Sequence, residues 1–410
     1  MAKNLALLLT SFLLMLVLGE WLFPKFLEKL PLRLYGSIDK NLRILAQSSK
    51  KSLLPNEYIA ITGDSYATGV GDWLAEVRKK SFLGSPDYSP AHMLYKKTGI
   101  DVVSFGQGGV GSFRGIWKET ITQFLYINSI KDYHLSPPKY LLVFFYEGND
   151  IYNNFALVTE FQSTEKEIED KTKLARFDDF LNVKHKEVQS GNYERSFWKN
   201  MLFTRSILNG ISNLVEEWTA SNKYQKVYFS YPKTPINVAL IDEKKVPLPM
   251  HLQAPPVLYL NEFEKKEGLT DKTLEEGVYV FKKSLAQLVA FFPKSEIKIV
   301  YIPSPLSSYT IISPIVSYRG WMQINNFMEA TVIKKRHMEL CKTIQSITLA
   351  HNISFINTTK SLKEAGSKEF IHGPIDWDHF NKRGYEALST DIAEVFLKPK
   401  GATRTDNCTY

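Results

Sequence analysis

Residues 5–23 are almost wholly apolar, broken only by Thr10, Ser11 and Glu20, with Lys3 ahead of them. A run of that length and purity is a membrane-targeting segment. No small-x-small cleavage pattern follows, since Gly19-Glu20-Trp21 is bulky and charged, so an uncleaved signal anchor is expected over residues 1–24. Beyond it the pattern changes to short apolar runs at 57–62, 101–105, 140–146, 297–302 and 353–357. Runs this short, continuous rather than alternating, read as strands buried on both faces. Helical spacing recurs between them. Ser89-Pro90 supplies an N-cap and a first-turn proline to a helix closing near Gly99. Val278, Phe281, Leu285, Leu288, Val289 and Phe292 mark a helix over 277–292, and further helices are expected over 326–350 and 382–397. Strands alternating with helices predict an α/β fold, a five-stranded parallel sheet covered on both faces.

Two stretches interrupt the alternation. Residues 155–271 are too long for one crossover connection and mix charged segments with aromatic and proline-rich ones, at 224–235 and 247–259. This insertion reads as a cap over the substrate or as an ornament that binds a partner. Residues 304–321, rich in Ser, Pro and Tyr, are a second candidate for a substrate-facing loop. The chain thus divides into an anchor (1–24), a polar connector (25–56), a catalytic domain (57–400) carrying the 155–271 insertion, and a tail (401–410).

Composition narrows the field. At 410 residues, with 44% hydrophobic and 23% charged, the chain is neither disordered nor a repeat array. Fifty-one Lys and Arg against 43 Asp and Glu leave +8, which reads as a solvated basic surface, with no nucleic-acid partner. Cys341 and Cys408 are too few for a disulfide framework or a cysteine zinc site. A single bridge is open to them, and Cys341, in an apolar helical pattern, reads by default as a buried inert thiol. Lys25, Lys29, Arg33, Lys40 and Arg43 outnumber Lys3 across the anchor and oppose export. An anchor at the extreme N-terminus with a long domain behind it is nevertheless read as placing that domain outside the cytoplasm, because long domains translocate despite local charge.

The chemistry is written at four strand ends. Gly63-Asp64-Ser65 follows the first run, and Gly106-Gln107-Gly108-Gly109-Val110-Gly111 the second. Glu147-Gly148-Asn149-Asp150 follows the third, and Asp376-Trp377-Asp378-His379 lies ahead of the last helix. A serine hydroxyl is a poor nucleophile at neutral pH and needs an imidazole to take its proton and a carboxylate to hold that imidazole in one tautomer. Ser65, His379 and Asp376 supply those parts, and the two-residue gap lets one turn of chain present both Asp376 and His379 to Ser65. Acyl transfer also builds charge on the carbonyl oxygen, for which the amides of Ser65 and Gly109 and the carboxamide of Asn149 are the oxyanion donors. Asp150 reads as a strand-end and helix-capping residue. His372, Asp376, Asp378 and His379 also form a cluster with metal-ligand chemistry, set aside because the serine and oxyanion blocks explain the loop without a metal. The reading needs no cofactor.

These four blocks, in this order, resemble the SGNH or GDSL hydrolase superfamily, with Ser65, Gly109, Asn149, Asp376 and His379 at the matching positions. Two positions depart from its pattern: Glu147, where glycine is frequent, and Ser104, where asparagine is common. The resemblance implies a three-layer, flavodoxin-like α/β/α sandwich and hydrolysis or transfer of ester-linked acyl groups. Members with one N-terminal membrane segment and an envelope location often act on O-acetylated polysaccharides, frequently beside membrane-bound O-acyltransferases, and the layout here is similar. The expected function is therefore a serine esterase or O-acyltransferase in the cell envelope acting on an acylated carbohydrate. The alternatives are a lipase or thioesterase, which demands a wide apolar tunnel, and a non-catalytic glycan-binding or assembly subunit.

Overall fold

The computed structural model describes residues 2–27, 38, 40–72, 89–164, 170–191, 193, 197–219, 237–256, 271–319, 325–397 and 408. Helix α1 (Ala2–Phe26) is followed by strand β1 (Tyr58–Thr62), a single helical turn α2 (Ser65–Thr68), α3 (Pro90–Thr98) and β2 (Asp101–Ser104). Then come α4 (Glu119–Asn128), β3 (Tyr140–Tyr146), α5 (Asp150–Thr164), α6 (Asp170–Gln189) and α7 (Leu202–Thr219). The hairpin β4 (Asn237–Ile241) and β5 (Lys244–Leu248) precedes α8 (Asp271–Phe291) and β6 (Glu296–Ile302). The rest is the hairpin β7 (Ile315–Arg319) and β8 (Asn325–Glu329), α9 (Ala330–Ala350), β9 (Ser354–Asn357) and α10 (Lys382–Leu397).

Five strands form one parallel sheet in the order β2-β1-β3-β6-β9. Counted within the sheet this is 2-1-3-4-5, a doubly wound order whose direction reverses between β1 and β3. The strands are nearly all buried on both faces, as their unbroken apolar runs predict. Alternate residues feed two cores. Tyr58, Ala60, Leu141, Val143, Phe145, Ile299 and Tyr301 meet Ile121 of α4, Ile151 and Phe155 of α5, Phe281 and Leu285 of α8 and Ile344 of α9. Ile59, Ile61, Leu142, Phe144, Val300 and Ile302 meet Leu94 of α3, Leu388 and Ile392 of α10 and the two hairpins.

The polar connector is not loose where it is described. Ile44, Leu45 and Ala46 are buried in the first core, and the chain beside them covers the exposed edge of β2. There the Val102 amide donates to the Ser49 carbonyl (2.8 Å), and the Gln47 carboxamide accepts from the Ser104 amide (2.8 Å) while donating to its carbonyl (2.7 Å).

Two expectations are corrected. The helix expected from 326 begins at Ala330, because Asn325–Glu329 pairs with Ile315–Arg319 as a hairpin. In the second candidate loop Ser304, Ser307, Ser308, Val316 and Tyr318 are buried, whereas Thr310, Ile312, Pro314 and Ile315 are exposed. Trp321 and the 224–235 stretch lie outside the described residues. Cys341 is not an inert thiol but is bonded to Cys408, closing a separation of 67 residues. On loop entropy alone such a bridge stabilises by about 4 kcal/mol.

Candidate active site

β1 leads directly to Ser65. The chain leaves Thr62 through Gly63, at φ +143°, where a Cβ would stand 2.7 Å from the Phe144 carbonyl oxygen, so only glycine lets the turn pass under β3. Asp64 then caps α2, accepting from the Tyr66 amide at 2.9 Å. Ser65 is the first residue of that turn. Its amide, one of the orphan N–H groups of a helix start, donates to nothing among the described residues.

His379 Nε2 lies 2.8 Å from Ser65 Oγ, and His379 Nδ1 lies 2.7 Å from Asp376 Oδ2. With the carboxylate accepting from Nδ1–H, Nε2 is the bare nitrogen and faces the hydroxyl proton. Asp64 Oδ2 competes for that proton at 3.3 Å, and the shorter bond to His379 prevails. Burial works against the charged imidazole, but the bond and charge of Asp376, with Asp378 and Asp64 beyond, outweigh it and hold His379 above its ordinary 6.5. Burial likewise pushes the Asp376 carboxyl up, and His379 with the Asp378 and His379 amides reverses this, so it sits below its usual range and stays ionised.

The loop carrying Asp376 and His379 is held by residues far away in sequence. Asp72 accepts from the Ile375 amide at 2.8 Å and from the Asp376 amide. Tyr66 donates to the Asp378 carbonyl at 2.8 Å while its ring packs on Phe380 and 5.5 Å from the His379 ring. Arg319, at the end of β7, grips Asp378 through both oxygens at 2.8 and 3.0 Å, the planar fork that guanidinium and carboxylate form best. Sequence alone carries no signal for Asp72, Tyr66 or Arg319.

Two further strand ends complete the site, at the switch point between β1 and β3 where ligands of doubly wound sheets bind. In the glycine loop after β2, a Cβ on Gly108 would stand 3.7 Å from Ser65 Cβ, so Gly108 flanks the serine directly. Gly109 follows at φ +71° and faces open space. Neither amide donates to any partner among the described residues. Ser104 fills its departure from the family pattern with a structural task, donating to the Ala67 carbonyl at 2.7 Å. Asn149, after β3, sits near enough to Asp64 to favour its ionised carboxyl. Asn149 Oδ1 is buried without a partner among the described residues. Asp64 and Asp150 lie behind this cluster. Burial pushes both carboxyls up, and the charge of Asp64 pushes Asp150 further. Asp150 also accepts from the Tyr146 amide at 2.9 Å, the strand-end role expected of it.

Glu147, the other departure, is wholly buried and turned away from Ser65. It accepts from Tyr301 Oη (2.7 Å), Ser304 Oγ (2.8 Å), Ser307 Oγ (2.5 Å) and His337 Nδ1. Burial pushes its carboxyl up, but His337 and the hydroxyls overcome this and hold it below the usual range. It clamps the end of β3 to β6 and α9, two residues before Asn149. The remaining member of the His/Asp cluster, His372, is buried against Tyr309 Oη (3.2 Å) and Phe380, and burial lowers it to about 3. Among the described residues no group of three metal-ligating side chains converges.

A cleft of about 430 Å³ reaches the end of the glycine loop, and none of Ser65, Gly109, Asn149, Asp376 or His379 lines it. Its inner wall holds Gly111, from the glycine loop, and Asn153, one helical turn beyond Asn149; Lys184, Glu187 and Val188 of α6, part of the insertion, form the opposite wall. Phe113, Arg114, Lys118, Thr122, Asn154, Ala156, Leu157, Glu160 and Tyr193 also line it.

No protein-family model and no curated protein matches the chain. Among solved structures, an acetyl xylan esterase from the rumen bacterium Butyrivibrio proteoclasticus aligns over 84% of this chain and 64% of its own, at 10% identity and a TM-score of 0.34. This chain thus spans less than two thirds of that protein's length, and a TM-score of 0.34 does not establish a common fold.

Proposed function

We propose that the chain is a serine esterase or O-acyltransferase that passes an acyl group through Ser65. The observation that supports it is the unbroken relay from Ser65 Oγ to His379 Nε2 at 2.8 Å and from His379 Nδ1 to Asp376 Oδ2 at 2.7 Å. In this reading His379 takes the Ser65 proton as Oγ attacks the ester carbonyl. The oxyanion accepts from the amides of Ser65, Gly108 and Gly109 and from the Asn149 carboxamide N–H. His379 returns the proton to the leaving alkoxide, and water or a sugar hydroxyl then attacks acyl-Ser65 with His379 again as base. The four blocks, in their order along the chain, support placing it in the SGNH/GDSL superfamily.

An O-acetylated envelope glycan is the leading substrate candidate, on the resemblance of the motif blocks and the single N-terminal apolar helix. The cleft near the glycine loop mixes charged and amide side chains with Phe113, Ala156, Leu157 and Val188. The lipase reading stands as the alternative. In domain terms residues 1–24 anchor the protein and 57–400 carry the catalytic domain, with the packed segment around Arg43–Ala46 joining them. The Cys341–Cys408 bridge supports an oxidising compartment, outside the cytoplasm, against the flanking charge. A membrane-bound O-acyltransferase is the partner this reading proposes.

The test is turnover of 4-nitrophenyl acetate and 4-nitrophenyl palmitate by the detergent-solubilised full chain, with and without oligosaccharide acceptors. Preference for acetate, lost in Ser65→Ala, supports the reading, and acetylated oligosaccharide in the mass spectrum marks transfer. Turnover unchanged in Ser65→Ala contradicts it.

A further inference from the structure

α7 turns an apolar stripe to water. A helix on a globular domain usually turns its apolar stripe to the core and its polar face to water. Here Leu202, Arg205 and Ser206 are buried (3%, 8% and 9% exposed), whereas Leu208 and Ile211, at adjoining positions on one face, are 49% and 53% exposed, and Val215 one turn on is 51% exposed. Trp198, just before the helix, is likewise 51% exposed. Single exposed apolar residues need no explanation, but a contiguous apolar stripe opposite a buried face that includes Arg205 and Ser206 marks a surface that meets something apolar.

What it meets is indicated by the neighbour of α7. α1 is long and apolar enough to cross a membrane, and its side chains from Leu5 to Leu18 face outward. The two helices are joined. Glu20, the charge that breaks the apolar run of α1, caps α7 from outside: its carboxylate accepts from the amides of Phe203 (2.9 Å) and Thr204 (2.8 Å). A carboxylate on a helix N-terminus satisfies orphan amides and complements the helix dipole. Phe203 lies over Gly19, where a Cβ would meet its ring at 2.2 Å, and stacks edge-on with Phe23 at 5.6 Å. This junction lies at the end of α1 where Trp21 is exposed with the Lys25 ammonium over its ring at 3.8 Å, the residue pair that belongs at a bilayer–water boundary.

We propose that α7 is a second membrane element: an interfacial helix that lays Leu208, Ile211 and Val215 into the lipid surface of the bilayer that α1 enters, with Glu20 as the clasp between them. It is too polar to span, and an apolar stripe of this width suits shallow burial at the headgroup boundary. The catalytic domain is then seated on the membrane at two points rather than tethered by one. This rests on the reading of α1 as a retained membrane helix.

The test uses the full chain, with its native disulfide oxidised, in vesicles of phosphatidylethanolamine and phosphatidylglycerol. Nitroxide labels are placed one at a time through Leu208→Cys, Ile211→Cys, Leu9→Cys within α1 and Lys360→Cys on the exposed catalytic domain. The ratio of collisions with oxygen to collisions with a water-soluble nickel chelate reports lipid exposure. Ratios at 208 and 211 several-fold above that at 360, with 9 higher still, are expected. Ratios at 208 and 211 equal to that at 360, with 9 in lipid, overturn the proposal and leave the anchor standing. Exclusion of both reagents at 208 and 211 overturns it in favour of a second copy covering the stripe. A water-like ratio at 9 removes the anchor and the proposal together.

Discussion

His379 is where charge, geometry and pH meet. In the proposed mechanism its imidazole acts as a base only when neutral, and its neighbours hold its pKa above 6.5. Activity is therefore absent at low pH and rises through a limb centred above 6.5, which a kcat/KM profile against pH would read. Asp376→Asn removes the largest favourable contribution, so the limb moves to lower pH while kcat falls by roughly 10⁴-fold, the cost of losing the tautomer. A limb that stays in place in Asp376→Asn would show that another group controls it. In the proposed mechanism Asn149 is the one oxyanion donor on a side chain. Asn149→Ala is expected to lower kcat by about 10²–10³ with KM little changed, since the bond forms only in the transition state. An equal effect on KM with kcat preserved would instead make Asn149 a ground-state binding residue.

At the scale of elements, the parts that proved legible in the sequence are those whose signal is local. Continuous apolar runs located all five sheet strands, and Ser89-Pro90 located the start of α3, whose Ser89 side chain does cap it. Three of the four motifs fall at strand ends because glycine, asparagine and aspartate both end strands and carry this chemistry, while Asp376–His379 sits in the loop before the last helix. What was not legible depends on pairing at a distance. The sequence Asn325–Glu329 shows no strand alternation and becomes one only against Ile315–Arg319. Arg319 and Asp378 are 59 residues apart, and the Cys341–Cys408 bridge depends on the tail returning to α9. Glu147, visible as an odd residue at a motif, gave no hint that Tyr301, Ser304, Ser307 and His337 surround it. Its burial predicts a sharp contrast. Glu147→Ala leaves His337 and three hydroxyls without their acceptor and is expected to cost about 3–5 kcal/mol in denaturant unfolding, while Glu147→Gln, which keeps an acceptor oxygen, costs less. Equal costs would mean that the carboxylate's charge and not its shape matters there.

The whole molecule couples a doubly wound sheet, a serine relay at its switch point and an apolar N-terminal helix clasped to the domain. Its compartment is testable through sulfur. Full-length chain taken from cells under acid quench is expected to show no mass shift with maleimide, because Cys341 and Cys408 are joined. Two maleimide additions would place the domain in a reducing compartment and reverse the proposed topology. The activated serine itself is tested by intact-mass analysis of the full chain treated with a fluorophosphonate, beside Ser65→Ala and His379→Ala. The expected result is one adduct, mapped by peptide sequencing to Ser65 and absent from both variants. A folded wild-type chain that takes up no probe, or an adduct that persists in Ser65→Ala, would contradict catalysis through Ser65.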